Sequence, residues 1–179
     1  MFTLQKFIPV FSACIFLGGC STTSHQVPLD LRPGQGLEEQ QLHLRAIGTN
    51  RFQCVKDDQG YYWKFDSASA KLGDSVPKND KDIVATMRVN GNENYFIHKD
   101  GSSLFSQKID KIKKSYSPNK HLSHARFRIT NRSSKGEFSG VRYVLRVNTK
   151  YGMPFIPCDP GNYGDFHDVK FTATYVFWR

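Results

Sequence analysis

The sequence predicts an all-β fold: a single antiparallel sandwich or barrel-like domain behind a secretion signal and a short tether. Three observations carry the prediction. Apolar residues recur with a period of two rather than three and a half. Clusters of Asp, Asn and Gly interrupt them at short intervals. No stretch shows the long apolar stripe of a substantial helix. Strands joined by short polar turns build antiparallel sheets, because a parallel pair needs a crossover of a dozen or more residues.

The alternation is clearest at the C-terminus. Val169, Phe171, Ala173, Tyr175 and Phe177 form one apolar face, opposed by Lys170, Thr172, Thr174 and Trp178. In the segment after Gly140, Val141, Tyr143, Leu145 and Val147 point one way, and Arg142, Arg146 and Asn148 the other together with Val144. Earlier strands are predicted at Leu42 to Ala46, Arg51 to Val55, Tyr61 to Phe65, Ile83 to Val89 and Tyr95 to His98. Asp57-Asp58-Gln59-Gly60, Asn90-Gly91-Asn92 and Lys99-Asp100-Gly101-Ser102 separate them with residues that tolerate positive φ or close a turn through their side chains. The stretch Leu104 to Tyr116 fits a short helix and a bent strand equally well.

The N-terminus has a different logic. A short basic region ends at Lys6, an apolar segment runs from Phe7 to Phe16, and Leu17-Gly18-Gly19-Cys20 follows. This is the pattern of a bacterial lipoprotein signal, residues 1–19, with Cys20 as the lipidated residue. The thiol supplies the nucleophile for glyceryl transfer, and the two glycines leave room for cleavage before it. An ordinary secretory signal or an uncleaved anchor are the alternatives, but the apolar run is shorter than the roughly 20 residues a bilayer requires. Ser21 after the cysteine points to the outer membrane of a Gram-negative cell. Residues 20–36 carry Ser, Thr, Gln, Gly, Pro28 and Pro33 without apolar periodicity and read as a lipidated tether. Residues 37–179 remain for one β domain, enough for one core.

With Cys14 in the signal and Cys20 lipidated, Cys54 and Cys158 are the remaining thiols, in an oxidising compartment. Either they form one bridge or they are two separate buried thiols.

Several segments together resemble the domain of unknown function 3455 family. They are Gly140 to Thr149, then Gly152, Pro154 and Cys158, and Thr172 to Phe177. Leu42 to Ala46, Phe52-Gln53-Cys54, Trp63-Lys64-Phe65, Ala70-Lys71-Leu72 and Asp100-Gly101-Ser102 agree in order. The resemblance covers roughly Glu39 to Phe177 and implies an exported domain, and its cysteine positions support the bridge. It supplies no catalytic residue. The chain departs from the family pattern at Gly91 to Phe96, where a His and a Gly-Pro-Thr-Trp-like turn are expected.

The formal charge is +9, and the excess is uneven. Lys108, Lys111, Lys113, Lys114, Lys120, Arg126, Arg128, Arg132 and Lys135 fall in one stretch whose only acid is Asp110. Such a segment is a candidate site for an anionic envelope polymer or lipid head group, or else a solvated basic loop. Nucleic acid is not an expected partner of an exported, tethered protein. No cofactor is implied. His121 and His124 have no carboxylate at metal-ligand spacing, so no metal site is assigned. No Gly-x-Ser-x-Gly elbow is present, so no catalytic residue is assigned.

The sequence therefore points to a lipid-anchored binding or structural module of the cell envelope. An inhibitor of an envelope-attacking enzyme is one alternative. A hydrolase is another, drawing its acid and base from Asp66, His98, Asp165 or His167, and it requires two of these to meet in one pocket.

Overall fold

The computed structural model describes residues 27–34, 41–107 and 109–179. The signal, Cys20 and Lys108 lie outside the described residues. Ten strands are present among them: β1 (Gln41–Asp57), β2 (Gly60–Gly73), β3 (Ala85–Asn90), β4 (Glu93–His98), β5 (Ser103–Ser106), β6 (Ile109–Lys113), β7 (His124–Arg128), β8 (Asn131–Arg132), β9 (Tyr143–Tyr151) and β10 (Phe166–Trp178). They form one antiparallel sheet in the order β6-β7-β9-β10-β1-β2-β3-β4-β5-β8. The expected all-β class holds, and the architecture is a curled half-barrel rather than two stacked sheets.

Connectivity explains the curl. The edges of the sheet are β6 and β8. The chain passes from β5 to β6 and from β7 to β8 through two residues each time, and such a link spans at most roughly 11 Å. Strands at opposite ends of the order are therefore held close, and the sheet bends to allow it.

The stretch 104–116 resolves as β5 and β6, so the helical alternative is not the one adopted. The two short strands expected near residues 42 and 55 are one continuous strand, β1, paired with β10 from Gln41↔Trp178 to Gln53↔Phe166. Its pairing with β2 shifts by a bulge at Arg51/Phe52. Gly48 is required by close approach: a Cβ there would lie 2.4 Å from the Ser69 carbonyl oxygen and 2.7 Å from the Phe171 ring.

The concave face holds the main core. Phe96 sits at its centre, with ring centroids 5.6 Å from Tyr175, 5.7 Å from Phe177 and 6.5 Å from Phe127. One end of the half-barrel is plugged by Phe138, fully buried and stacked on Phe177 at 4.7 Å. The alternation of β10 is as expected: Val169, Phe171, Ala173, Tyr175 and Phe177 are buried, and all but Val169 belong to this core.

β9 requires a correction. Leu145 and Val147 do share a face with Tyr143, but it is the convex one, and Val144 faces the core. The convex face is dry there because Val27 and Leu31 pack on it beside Val176 and Trp178. Residues 27–34, expected as part of an extended tether, thus lie against the sheet. A turn of 3-10 helix at Leu29–Leu31 buries Leu31 completely while leaving Leu29 exposed.

Candidate functional site

Opposite the Phe138 plug the half-barrel opens into a cavity of about 650 Å³, within the size range of small-ligand sites. Phe52, Phe65, Met87, Val89, Phe127 and Met153 are among its apolar lining residues. Asn50, Asn92, Asn94, Gln107 and Arg146 are its polar lining residues. Asn50 donates to the Gly152 carbonyl at 2.9 Å, and Asn94 to the carbonyls of Asn92 and Ser106 at 3.2 Å. Gly91, Asn92 and Asn94 are at this cavity.

Arg146 sets the electrostatics. Its cross-strand neighbours are Ala125 on β7 and Tyr175 on β10, so the half-buried side chain projects from the concave face. Nε and a terminal nitrogen donate to the Ser123 carbonyl at 3.3 and 3.1 Å, and the guanidinium lies 5.8 Å from the Phe127 ring centroid. No carboxylate lies within ion-pair distance of it among the described residues. Burial pushes the Tyr175 phenol upward, opposed by the charge and hydrogen bond of Arg146.

The mouth is aromatic. Phe65 at the cavity and Phe155 on the neighbouring loop are 38% and 82% exposed, whereas Phe166 stands on the opposite face with Arg51 5.7 Å from its ring centroid. Trp63 donates to the Ile156 carbonyl at 2.9 Å, and His167 lies between Trp63 and Phe155, with centroids 5.4 and 6.1 Å away. The loop carrying Phe155 and Ile156 is fastened by the Cys54–Cys158 disulfide, whose Cα atoms are 5.4 Å apart. Backbone bonds from Cys54 to the Asp165 carbonyl and from Gly164 to the Cys54 carbonyl, both 2.9 Å, complete the attachment.

Lys111, Lys113, Arg126 and Arg128 lie on β6 and β7, whereas Arg132 is on β8 at the other edge of the sheet. Asp110 bridges Arg126 at 2.6 Å and Arg128 at 3.8 Å, and Asp30 holds Lys113 at 3.1 Å. Arg126 also donates to the Arg32 carbonyl at 2.9 Å, and both arginines stand over the Tyr143 ring. Lys120 lies 5.4 Å from the Tyr151 ring centroid. Lys114 follows β6, and Lys135 precedes the Phe138 plug.

The two histidines of the basic stretch have different settings. His121 Nδ1 accepts from the Tyr151 N–H at 2.6 Å and Nε2 bonds the Tyr116 hydroxyl at 3.0 Å, so both ring nitrogens are occupied. His124 Nδ1 is buried without a hydrogen-bond partner. Burial first, then Lys113 and Arg146, hold its pKa below the ordinary value.

Of the hydrolase candidates, none lines the main cavity. Asp66 bonds its neighbour Ser67 at 2.7 Å, and His167 belongs to the aromatic mouth. His98 lies 2.9 Å from Asp100, whose same oxygen accepts the Ser102 hydroxyl at 2.6 Å. The carboxylate therefore separates serine from imidazole, whereas nucleophilic catalysis needs the imidazole on the hydroxyl. The cluster is a knot. Asp100 accepts the Glu137 N–H at 2.7 Å and Ser102 the Phe138 N–H at 3.1 Å, which holds the plug in place.

The fold and the cavity define a half-barrel domain with a single apolar interior. The chain belongs to the family described as Protein of unknown function (DUF3455), whose match spans residues 35–179. No curated protein and no solved structure matches it.

Proposed function

We propose that the protein is a lipid-anchored binding module of the bacterial cell envelope, tethered through Cys20, with the half-barrel cavity as its binding element. The observation that carries this reading is the cavity itself: an interior that is apolar, of ligand size and open at one end, where the rest of the core is filled. A purely structural domain gains nothing from leaving such space, since unfilled core volume costs stability.

Tether length supports the membrane assignment. Only residues 21–26 separate Cys20 from buried Val27, and a chain of that length reaches at most roughly 25 Å. A lipid on Cys20 therefore places the convex face around Leu31 near head groups, and Lys111, Lys113, Arg126 and Arg128 lie beside it. Basic groups that near an anionic surface contribute about 1 kcal/mol each, lessened here by Asp30 and Asp110. Lys108, Lys114, Lys120 and Arg132 extend the same attraction to anionic envelope polymers.

Metabolic labelling with radioactive palmitate tests the anchor. Label should enter the wild-type chain and be absent from Cys20→Ser. Unlabelled wild-type protein would overturn the assignment.

A further inference from the structure

Arg146 alone carries charge among the described residues that line the cavity. A half-buried guanidinium facing apolar walls loses hydration, and such a charge is costly unless an anion or a full set of acceptors replaces the water. The protein supplies one carbonyl, that of Ser123, and the Tyr175 phenol. It supplies no counter-charge there. By contrast, Asp168, Asp30, Asp110 and Glu137 pair with Arg51, Lys113, Arg126 and Arg179 elsewhere on the fold.

The remainder of the wall specifies the rest of the ligand. Phe52, Phe65, Met87, Phe127 and Met153 suit hydrocarbon, and thioethers adapt to flexible chains. The other polar lining groups are uncharged amides. A single guanidinium matches a monoanion, and the terminal N–H groups not spent on the Ser123 carbonyl can donate to a carboxylate. A phosphate dianion would bring a second charge with nothing to meet it. By register Arg146 is level with fully buried Tyr175, whereas Phe65 is partly exposed at the mouth.

We propose that the cavity takes a long-chain amphiphile with one carboxylate, of the fatty-acid class, its head on Arg146 and its tail running past Phe52 and Phe65 toward the mouth. The inference rests on the reading of the cavity as the binding element and adds the class and orientation of the ligand.

The test uses the full chain in phosphatidylcholine nanodiscs and two photoreactive probes. One is palmitic acid with a diazirine in its chain, the other the matching palmityl alcohol, and labelled residues are located by mass spectrometry. At equal probe content the acid should label cavity residues about tenfold more than the alcohol, a preference equivalent to about 1.4 kcal/mol. Arg146→Gln should bring the ratio close to one, and Arg146→Lys, which keeps the charge, should retain part of the preference. Equal labelling by both probes in the wild-type chain needs no variant to interpret: it overturns the role of Arg146 and leaves the cavity as a binding element. An acid preference that survives in Arg146→Gln overturns it equally. Absence of cavity labelling by either probe overturns the ligand class, while the anchor is decided separately by Cys20.

Discussion

Removing the disulfide, by replacing both Cys54 and Cys158 with Ala, should cost this protein much of its stability. The bridge joins residues 104 apart in sequence. On the chain-entropy account, closing a loop of that length stabilises the fold by about 4.7 kcal/mol at 25 °C, and the Tm should fall by roughly 10–20 °C in a domain of this size. Alanine is the cleaner replacement because Cys54 is fully buried, and a serine hydroxyl there would add its own desolvation cost. Urea unfolding followed by fluorescence suits the measurement, since Trp63 lies beside the bridged loop and Trp178 at the far end of β10. The variant should also unfold with a steeper dependence on urea, because an uncrosslinked unfolded chain exposes more surface. A loss below about 1 kcal/mol would refute the long-loop reasoning. A full loss with an unchanged urea slope would place the effect in the native state instead.

Phe138→Ala should cost about 3–5 kcal/mol, as expected for emptying a buried phenyl site, and calorimetry that finds it neutral would mean the plug is not packed as described. Gly48→Ala should destabilise by about 1–3 kcal/mol through overpacking; a neutral melting point would contradict the close contact with Ser69 and Phe171. Asp100 carries a pH dependence: the Ser102 hydroxyl first, then the N–H groups of Glu137 and Ser102 and the His98 side chain, hold its carboxyl well below the usual carboxylate range. Because the folded value is lowered, this stabilisation is whole well above the unfolded pKa of about 3.9 and drains away as pH falls below it. Melting points between pH 2 and 7 should therefore drop less steeply in acid for Asp100→Asn than for the wild type, and parallel curves would refute the assignment. His124, whose pKa burial lowers, acts in the same direction from about pH 6.5 downward, and His124→Gln should flatten that part of the profile.

The sequence made the long strands legible and the short ones obscure, for a physical reason. β10 alternates because one face meets the core and the other meets water over much of its length. β6 has all of its described side chains exposed, and β8 is two residues long, so neither carries a burial pattern to read. The period of β9 was visible, but not which face was inside, because the cover on its outer face comes from Val27 and Leu31. Two apolar residues among prolines and polar groups show no periodicity. The cavity was the least legible feature. Seven strands contribute one or two residues each to it, turns and loops the rest, and a lone arginine in an alternating strand ordinarily goes to water. Arg146 was accordingly grouped with Arg142 and Asn148 as a polar face. The mouth had a trace in the sequence, the aromatic excess around Trp63, but nothing to separate it from core.

Unequal strand length accounts for cavity, mouth and disulfide together. β1, β2 and β10 have 17, 14 and 13 residues, whereas β5, β6 and β7 have 4, 5 and 5. At about 3.3 Å per residue, β1 extends some 55 Å against about 13 Å for β5. The concave face can be filled only where strands stand on both sides of it, and there the Phe96 and Phe138 rings fill it. Farther along, the long strands run past the short ones, and Phe52, Phe65 and Ala68 line the cavity there. A projecting ribbon of few strands is marginal by itself. The 153–165 loop and its bridge to Cys54 supply the support that facing strands give elsewhere. Reduction should therefore loosen the mouth before the plugged end, so that amides around Trp63 and Phe166 gain hydrogen-exchange rates while those of Leu44 and Phe177 stay protected.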